Sequence, residues 1–326
     1  MLAEVLPNLY KIEVPLPNNP LRALNSYVLK APGRNLVIDT GMNREECSKV
    51  MFWALKELQV ELEETDFFIT HMHADHSGLV GTLASDASRV YCSRPDADII
   101  VSTDSWDGVL KGACVHGFPE KELQMALKKH PGYKYASRGY IEFSTVRDGD
   151  SIAIGDYHFR CVATPGHTEG HMCLYEPGQK ILVSGDHILD DITPNISMFM
   201  AEEGNPLQDY LDSLDKVSRL DVQLVLPGHR NIFKNFRERI NELKHHHRER
   251  ADEIISILGK GSADAYTVAS QMSWDIDCPS WDQFPTPQKW FATGEAIAHL
   301  RYLEQEGRVK REINNSINIF SVTRGN

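Results

Sequence analysis

The sequence predicts an α/β fold in two parts: two mixed sheets packed face to face under helices, then a small helix–helix–helix–hairpin domain. Two observations carry this. Over residues 1–240, β-rich runs alternate with amphipathic helical stretches. Past residues 241–250 the pattern changes to three short helices and a strand pair. A third observation points to function: histidines and aspartates stand directly after several of the β-rich runs.

The elements follow in chain order. Ser26–Leu29 and Asn35–Asp39 are β-rich and flank the turn signal Ala31-Pro32-Gly33-Arg34. Glu45–Leu58 sets Val50, Trp53, Ala54 and Leu58 at helical spacing. Phe67–Thr70 and Val90–Ser93 are short apolar runs, read as buried strands. Residues 106–140 read as an inserted helical segment over one face, helical at Glu120–Lys129 and otherwise rich in Gly, Lys and Tyr. The β pattern returns at Ser151–Ile154, Tyr157–Ala163, Met172–Tyr175 and Lys180–Ser184. A helix follows at Leu207–Leu220, then a strand at Val222–Leu226. Helices at Glu249–Leu258, Ala265–Met272 and Phe291–Gln305 precede strands at Arg308–Glu312 and Ser316–Val322, joined by Asn314-Asn315. That is winged-helix order. The expected domains are 1–240 and 241–326.

Composition narrows the class. A chain of 326 residues suits about two domains. Hydrophobic residues at 41% and charged residues at 25% exclude a disordered or fibrous chain. No run of 18 apolar residues predicts a membrane span, and Met1–Pro20, with its acids and prolines, does not read as a secretory signal. A net charge of −12 argues against broad binding to nucleic acid. Cys47, Cys92, Cys114, Cys161, Cys173 and Cys278 form no CxxC pair and read as reduced thiols of a cytoplasmic protein.

The strongest signal is Thr70-His71-Met72-His73-Ala74-Asp75-His76-Ser77-Gly78, at the end of an apolar strand. In extended chain, residues i and i+2 face the same way, so His71 and His73 can grip one ion. Asp75 and His76 come after the chain turns and can supply a second. Imidazole suits zinc and iron, and a mixed His/Asp set suits a hydrolytic metal pair. Three more segments follow β runs: Thr164-Pro165-Gly166-His167-Thr168, Ser184-Gly185-Asp186 and Leu226-Pro227-Gly228-His229. Strand ends on one sheet edge can bring them together. No Gly-x-Ser-x-Gly elbow offers a serine nucleophile instead.

This four-part pattern resembles the metallo-β-lactamase superfamily over residues 1–240. The resemblance implies an αββα sandwich with two divalent metal ions at the sheet edge, zinc first, with iron and manganese as alternatives. By motif, His71, His73 and His167 match the ligands of the first metal. Asp75, His76 and His229 match those of the second, and Asp186 matches the bridge. Asp75 is carried as the catalytic residue as well as a ligand. Asp39, in Val37-Ile38-Asp39-Thr40-Gly41, matches the acid that orients a ligand histidine. The 91 residues from His76 to His167 exceed the spacing of compact thioesterase members such as glyoxalase II, so the insert is expected to rebuild the substrate walls above the metals. The tail, through His299-Leu300-Arg301-Tyr302-Leu303-Glu304-Gln305-Glu306-Gly307, resembles the winged-helix tail of the lactamase-β-like protein 2 group, which includes a single-strand-selective RNA endonuclease.

Other residues read as structural. His171 is expected beside the site rather than in it. His187 follows Asp186 in a loop where neighbours point apart, so at most it lines the site. His245-His246-His247 splay around a helix at 100° steps and read as a solvated face. His116, His130 and His158 have no partner motif. Lys111, Lys121, Lys128, Lys129, Lys134 and Arg138 read as solvated, with an anion-attracting rim as the rival; Tyr133, Tyr135 and Tyr140 are candidates to touch substrate. From Arg248 onward nine Lys and Arg stand against eleven Asp and Glu, a poor surface for duplex DNA. Trp274, Trp281, Phe284, Trp290 and Phe291 suggest a face packed on the core or on a second subunit of a homodimer. The expected activity is hydrolysis of a small ester, thioester or lactone, with single-stranded RNA as the alternative substrate.

Overall fold

A computed structural model of the chain describes residues 1–102, 106–139, 141–198 and 204–323. They divide into two units: Met1–Ser102, Pro131–Pro194 and Ser213–Ile240 in the first, and Thr103–His130, Asn195–Asp212 and Asn241–Asn326 in the second.

The chain opens with β1 (Leu2–Leu6), β2 (Leu9–Pro15), β3 (Ala23–Leu29), β4 (Asn35–Ile38), α1 (Glu45–Glu57) and β5 (Thr65–Phe68). Next come α2 (Ala74–Ser77), α3 (Val80–Leu83), β6 (Val90–Ser93) and α4 (Arg94–Val101). Helices α5 (Asp107–Val115) and α6 (Glu120–Lys129) belong to the second unit. The first resumes with α7 (Pro131–Tyr135), β7 (Phe143–Val146), β8 (Ser151–Ile154), β9 (Tyr157–Ala163), β10 (Met172–Glu176) and β11 (Ile181–Gly185). Then follow α8 (Pro206–Ser218), β12 (Leu224–Pro227) and α9 (Phe236–Leu258). The chain closes on α10 (Ala265–Gln271), α11 (Thr286–Gln305), β13 (Val309–Asn314) and β14 (Ile317–Val322).

Both large sheets are mixed, as the alternation of elements predicts. The seven-stranded sheet runs β1 to β7 in chain order, antiparallel through β4 and parallel from β4 to β7. The five-stranded sheet runs β12-β11-β10-β9-β8, with only β11 and β12 parallel. Side chains alternate across a strand, so one strand feeds two cores. Tyr27, Leu36, Ile38 and Phe68 pack inward on Phe159, Leu174, Val183 and Leu226 of the other sheet. Val28, Val37 and Phe67 pack outward on Met51, Ala54 and Leu55 of α1. Burial on both faces explains why the central strands read as unbroken apolar runs.

Strands β1 and β2 go beyond the sequence expectation. Their prolines fall at Pro7 in the connecting turn and at Pro15 on the strand end, where a missing N–H does little harm. Asn8 takes the left-handed conformation that closes this hairpin (φ 61°).

Helix α9 runs unbroken through the boundary region 241–250. One further expectation changes. The inserted segment is shared: α5 and α6 pack with the C-terminal helices, while 131–139 joins the sandwich. Tyr140 lies outside the described residues. Of the tail aromatics, Trp274, Trp281 and Phe291 are half-buried, while Phe284 and Trp290 are buried, Trp290 packing within its own unit on Ala113, Phe118, Leu123 and Ala126. Those four come from the insert, so this core draws on more chain than the tail alone. The three tail helices and the hairpin appear in the expected order.

Candidate metal centre

The site sits where strands of both sheets end. Strand β4 delivers Asp39, and β5 delivers Thr70, His71 and His73, after which α2 presents Asp75 and His76. Strand β9 leads to His167, β11 to Asp186 and β12 to His229. Gly228 is required by close approach: a Cβ there would stand 2.7 Å from both Asp186 Oδ1 and His76 Cε1.

The donor atoms fall into three groups: His71, His73 and His167; His71, His76 and Asp186; and Asp75, His76 and His229. All seven sequence candidates are therefore brought together. His71, His76 and His229 are fully buried, and His73 and His167 are half-buried. His71 Nε2 lies 3.0 Å from His73 Nδ1, and His76 Nε2 lies 3.3 Å from His229 Nε2. Asp75 Oδ2 lies 3.4 Å from His229 Nε2. Asp186 faces both sides: Oδ2 is 3.6 Å from His167 Nε2 and 3.5 Å from His229 Nε2, while Oδ1 is 3.4 Å from His76 Nε2.

These spacings test the fit of a cation. Nitrogen or oxygen donors bound tetrahedrally at the usual zinc distance lie roughly 3.4 Å apart. The tautomers point the same way. His229 Nδ1 donates to the Ala23 carbonyl at 2.7 Å, and His76 Nδ1 donates to Asp39 Oδ2 at 2.7 Å. In neutral rings that leaves two Nε2 lone pairs facing each other, an arrangement a cation between them relieves. His71 Nδ1 donates to Thr70 Oγ1 at 3.0 Å, which donates in turn to Asp39 Oδ2 at 2.8 Å. Asp39 thus orients two candidate ligands, one directly and one through Thr70.

Electrostatics agree. Burial opposes charge on His229, but Asp186 and Asp75 outweigh it and carry its pKa up to about 10. Burial likewise opposes charge on His76, and Asp186, Asp39 and Asp75 hold its pKa well above the ordinary value. His73 is driven down to about 3 by burial and by His167, so it is neutral and its lone pair free to ligate. Burial raises Asp75, yet His76 and His229 overcome this and keep it ionised. The cluster calls for positive charge beside its carboxylates, and a divalent ion supplies it in place of protons.

Other histidines stand apart from the donor groups. His171 Nε2 accepts from the Asp186 backbone N–H at 3.1 Å, and its Nδ1 meets Thr164 Oγ1 at 2.8 Å, so it supports the Asp186 turn. His187 is buried with its ring 6.0 Å from that of His171. His158 is exposed. In the second unit, His116 stacks on Phe320 and His130 packs on Trp290 and Phe291. The His245–His247 expectation fails in part. His245 is exposed beside Glu249, but His247 is buried against His299, because α9 continues into a helical core there. The six basic residues of the insert are all exposed. Two residues were missed by sequence reasoning: Thr70, whose hydroxyl relays to Asp39, and Asp96. Thr70 directly precedes the histidine motif, which was its only signal.

Comparison with known proteins agrees with this geometry. The family model described as "Metallo-beta-lactamase superfamily" matches residues 20–229, and "Metallo-beta-lactamase-like, C-terminal domain" matches residues 282–322. The chain is 26% identical to the Caenorhabditis elegans beta-lactamase-like protein 2 homolog, over 73% of this chain and 66% of that one. It is 25% identical to the human acyl-coenzyme A thioesterase MBLAC2, over 64% of this chain and 74% of that one. A metallo-beta-lactamase family protein from Thermus thermophilus superposes with a TM-score of 0.84 at 26% identity, over 98% of this chain and 100% of that one. The chain belongs to the metallo-beta-lactamase superfamily, and it is a hydrolase.

Proposed function

We propose that this chain is a binuclear metal-dependent hydrolase of a small acyl thioester, with esters and lactones as related substrates. One observation carries the reading: seven donor residues converge around Asp186, whose two oxygens face both histidine groups. His71, His73 and His167 hold one ion, Asp75, His76 and His229 the other, and Asp186 lies between. Zinc suits this nitrogen-and-oxygen set, and iron or manganese can replace it. When bound, such a pair supplies a water nucleophile at neutral pH and polarises the scissile carbonyl. The protein's own part is orientation. Asp39 holds His76 and, through Thr70, His71. Asp75 is the least buried of the three carboxylates and stays ionised, so it is placed to orient the attacking water as the catalytic residue.

The thioester preference draws on two relatives, the human acyl-coenzyme A thioesterase and the Aspergillus fumigatus atrochrysone carboxyl ACP thioesterase, which is 23% identical over 82% of this chain. The tail's helix order and acidic balance support a winged-helix-like domain that packs rather than reads duplex DNA. The test is elemental analysis of protein purified without added metal, then assay on ester, thioester, lactone, phosphodiester and single-stranded RNA substrates. About two ions per chain and chelator-sensitive thioester cleavage are expected. Well under one ion per chain, or cleavage of RNA alone, overturns the reading.

A further inference from the structure

We propose that Asp96 is a positioning residue for the His71–His73–His167 half of the centre, holding the loops of His73 and His167 where Asp39 holds His76 and, through Thr70, His71. The inference rests on the binuclear reading above. Asp96 sits in the first turn of α4 and is fully buried. Its Oδ2 accepts from the Met72 backbone N–H at 2.8 Å and from Thr168 Oγ1 at 2.7 Å. Its Oδ1 accepts from the Gly170 backbone N–H at 2.8 Å. Met72 lies between His71 and His73, and Thr168 directly follows His167. One carboxylate therefore ties together the two loops that present the three imidazoles, without touching any of them.

Three features set this apart from ordinary packing. Asp96 has no cationic partner among the described residues, and a buried carboxylate without one is expensive. The burial is offset by hydrogen bonds that all go to ligand-bearing loops. Helix capping does not account for the residue either. Ser93-Arg94-Pro95-Asp96 has the spacing of a capping box, yet Ser93 makes no side-chain cap bond and Asp96 directs its oxygens away from the helix start. Finally, the 168–170 loop is seated so closely that a Cβ on Gly170 would stand 2.2 Å from Ser93 Oγ and 2.6 Å from Asp96 Oδ1.

The step from geometry to metal affinity is direct. The i, i+2 pair His71 and His73 converges only while the backbone at Met72 is held, and His167 meets them only if its loop is tied to the same anchor. Loss of such an outer support lowers metal affinity by roughly 10–100-fold. Only one of the two ions should be affected, because Asp39 supports His76 through separate bonds.

The experiment compares the full-length protein with Asp96→Asn, using His73→Ala and His229→Ala as references for losing each ion. The readouts are ions per folded chain, affinity by chelator competition, and the visible spectrum of the cobalt-loaded protein. In Asp96→Asn one ion should bind about 10–100-fold more weakly, with the cobalt spectrum shifting towards that of His73→Ala. Asp96→Glu, which keeps the charge, should recover part of the affinity. If Asp96→Asn does not fold, Gly170→Ala pushes on the same contact and should weaken the same ion. A purely structural role would lower the melting temperature of the metal-free protein and leave both affinities unchanged in the folded fraction, which overturns the inference. So does loss of the ion missing in His229→Ala. Wild-type protein that holds no ion refutes the binuclear reading itself; wild type and Asp96→Asn binding two ions equally refutes only the role of Asp96.

Discussion

In the first unit five histidines converge on Asp75, Asp186 and Asp39 at one sheet edge. In the second, His247 and His299 meet 3.1 Å apart inside a helical core. Both clusters are buried, but their surroundings differ. His299 donates from Nδ1 to the Glu295 carbonyl and accepts from His247 Nδ1 on Nε2, so both of its nitrogens are satisfied in the neutral ring. Burial drives His299 down to about 3. At the sheet edge, ring nitrogens instead point at one another and at carboxylates, with their far nitrogens committed to Asp39, Thr70 and Ala23. A histidine cluster becomes a metal site through converging lone pairs and uncompensated negative charge. Number and adjacency in sequence do not make one: His245-His246-His247 is the densest run in the chain and lies outside the centre.

Substitutions can break or sharpen this contrast. The largest expected effect is Asp186→Ala, which removes the carboxylate shared by both groups. Turnover should fall by more than the roughly 100-fold limit for outer supporting residues, with weakened metal retention; near-normal activity would mean the bridge is misassigned. Next is Trp290→Ala in the second unit, which should cost about 3–5 kcal/mol by thermal or denaturant unfolding while leaving the metal content of folded protein unchanged.

A third test uses pH. His299 titrates near 3 when folded, against 6.5 for a free imidazole. As pH falls below about 6.5 the unfolded chain takes up a proton that the folded chain refuses. The stability contributed by the neutral ring is present above that pH and lost as pH falls towards 3. His299→Asn keeps a donor for the Glu295 carbonyl and removes the titration. Its acid limb of stability should flatten by about 2 kcal/mol at about pH 5, and an unchanged limb would show that His299 is not held neutral. The smallest effect is expected of His245→Ala. It breaks an exposed contact with Glu249 and should change stability by less than about 0.5 kcal/mol and metal content not at all.

How much was legible in advance follows from the range of each signal. Strand β9, helix α6 and strand β6 were read to the residue, because alternation and helical spacing are local. The His71–His76 motif was legible because an i, i+2 pair and a following turn lie within a few residues of each other. His167, Asp186 and His229 were legible as candidates after β runs, but their assignment to one metal, the other or the bridge came only through the family resemblance, since bringing them together depends on strand order in a folded sheet. Asp96 gave no usable signal: its spacing from Ser93 reads as a helix cap, and its partners lie 24, 72 and 74 residues away.

By itself, then, the sequence determined the alternation of strands and helices, the two mixed sheets and the presence of a ligand-rich strand end. These rest on side-chain periodicity and turn chemistry, which act over a few residues. The tertiary structure decided which strand ends share an edge and which carboxylate faces both histidine groups. It also decided that the insert divides between the units and that His247 turns inward while His245 stays in water. Each of these depends on what a residue meets from a distant part of the chain, and burial, hydrogen bonding and charge compensation come into being only with that meeting.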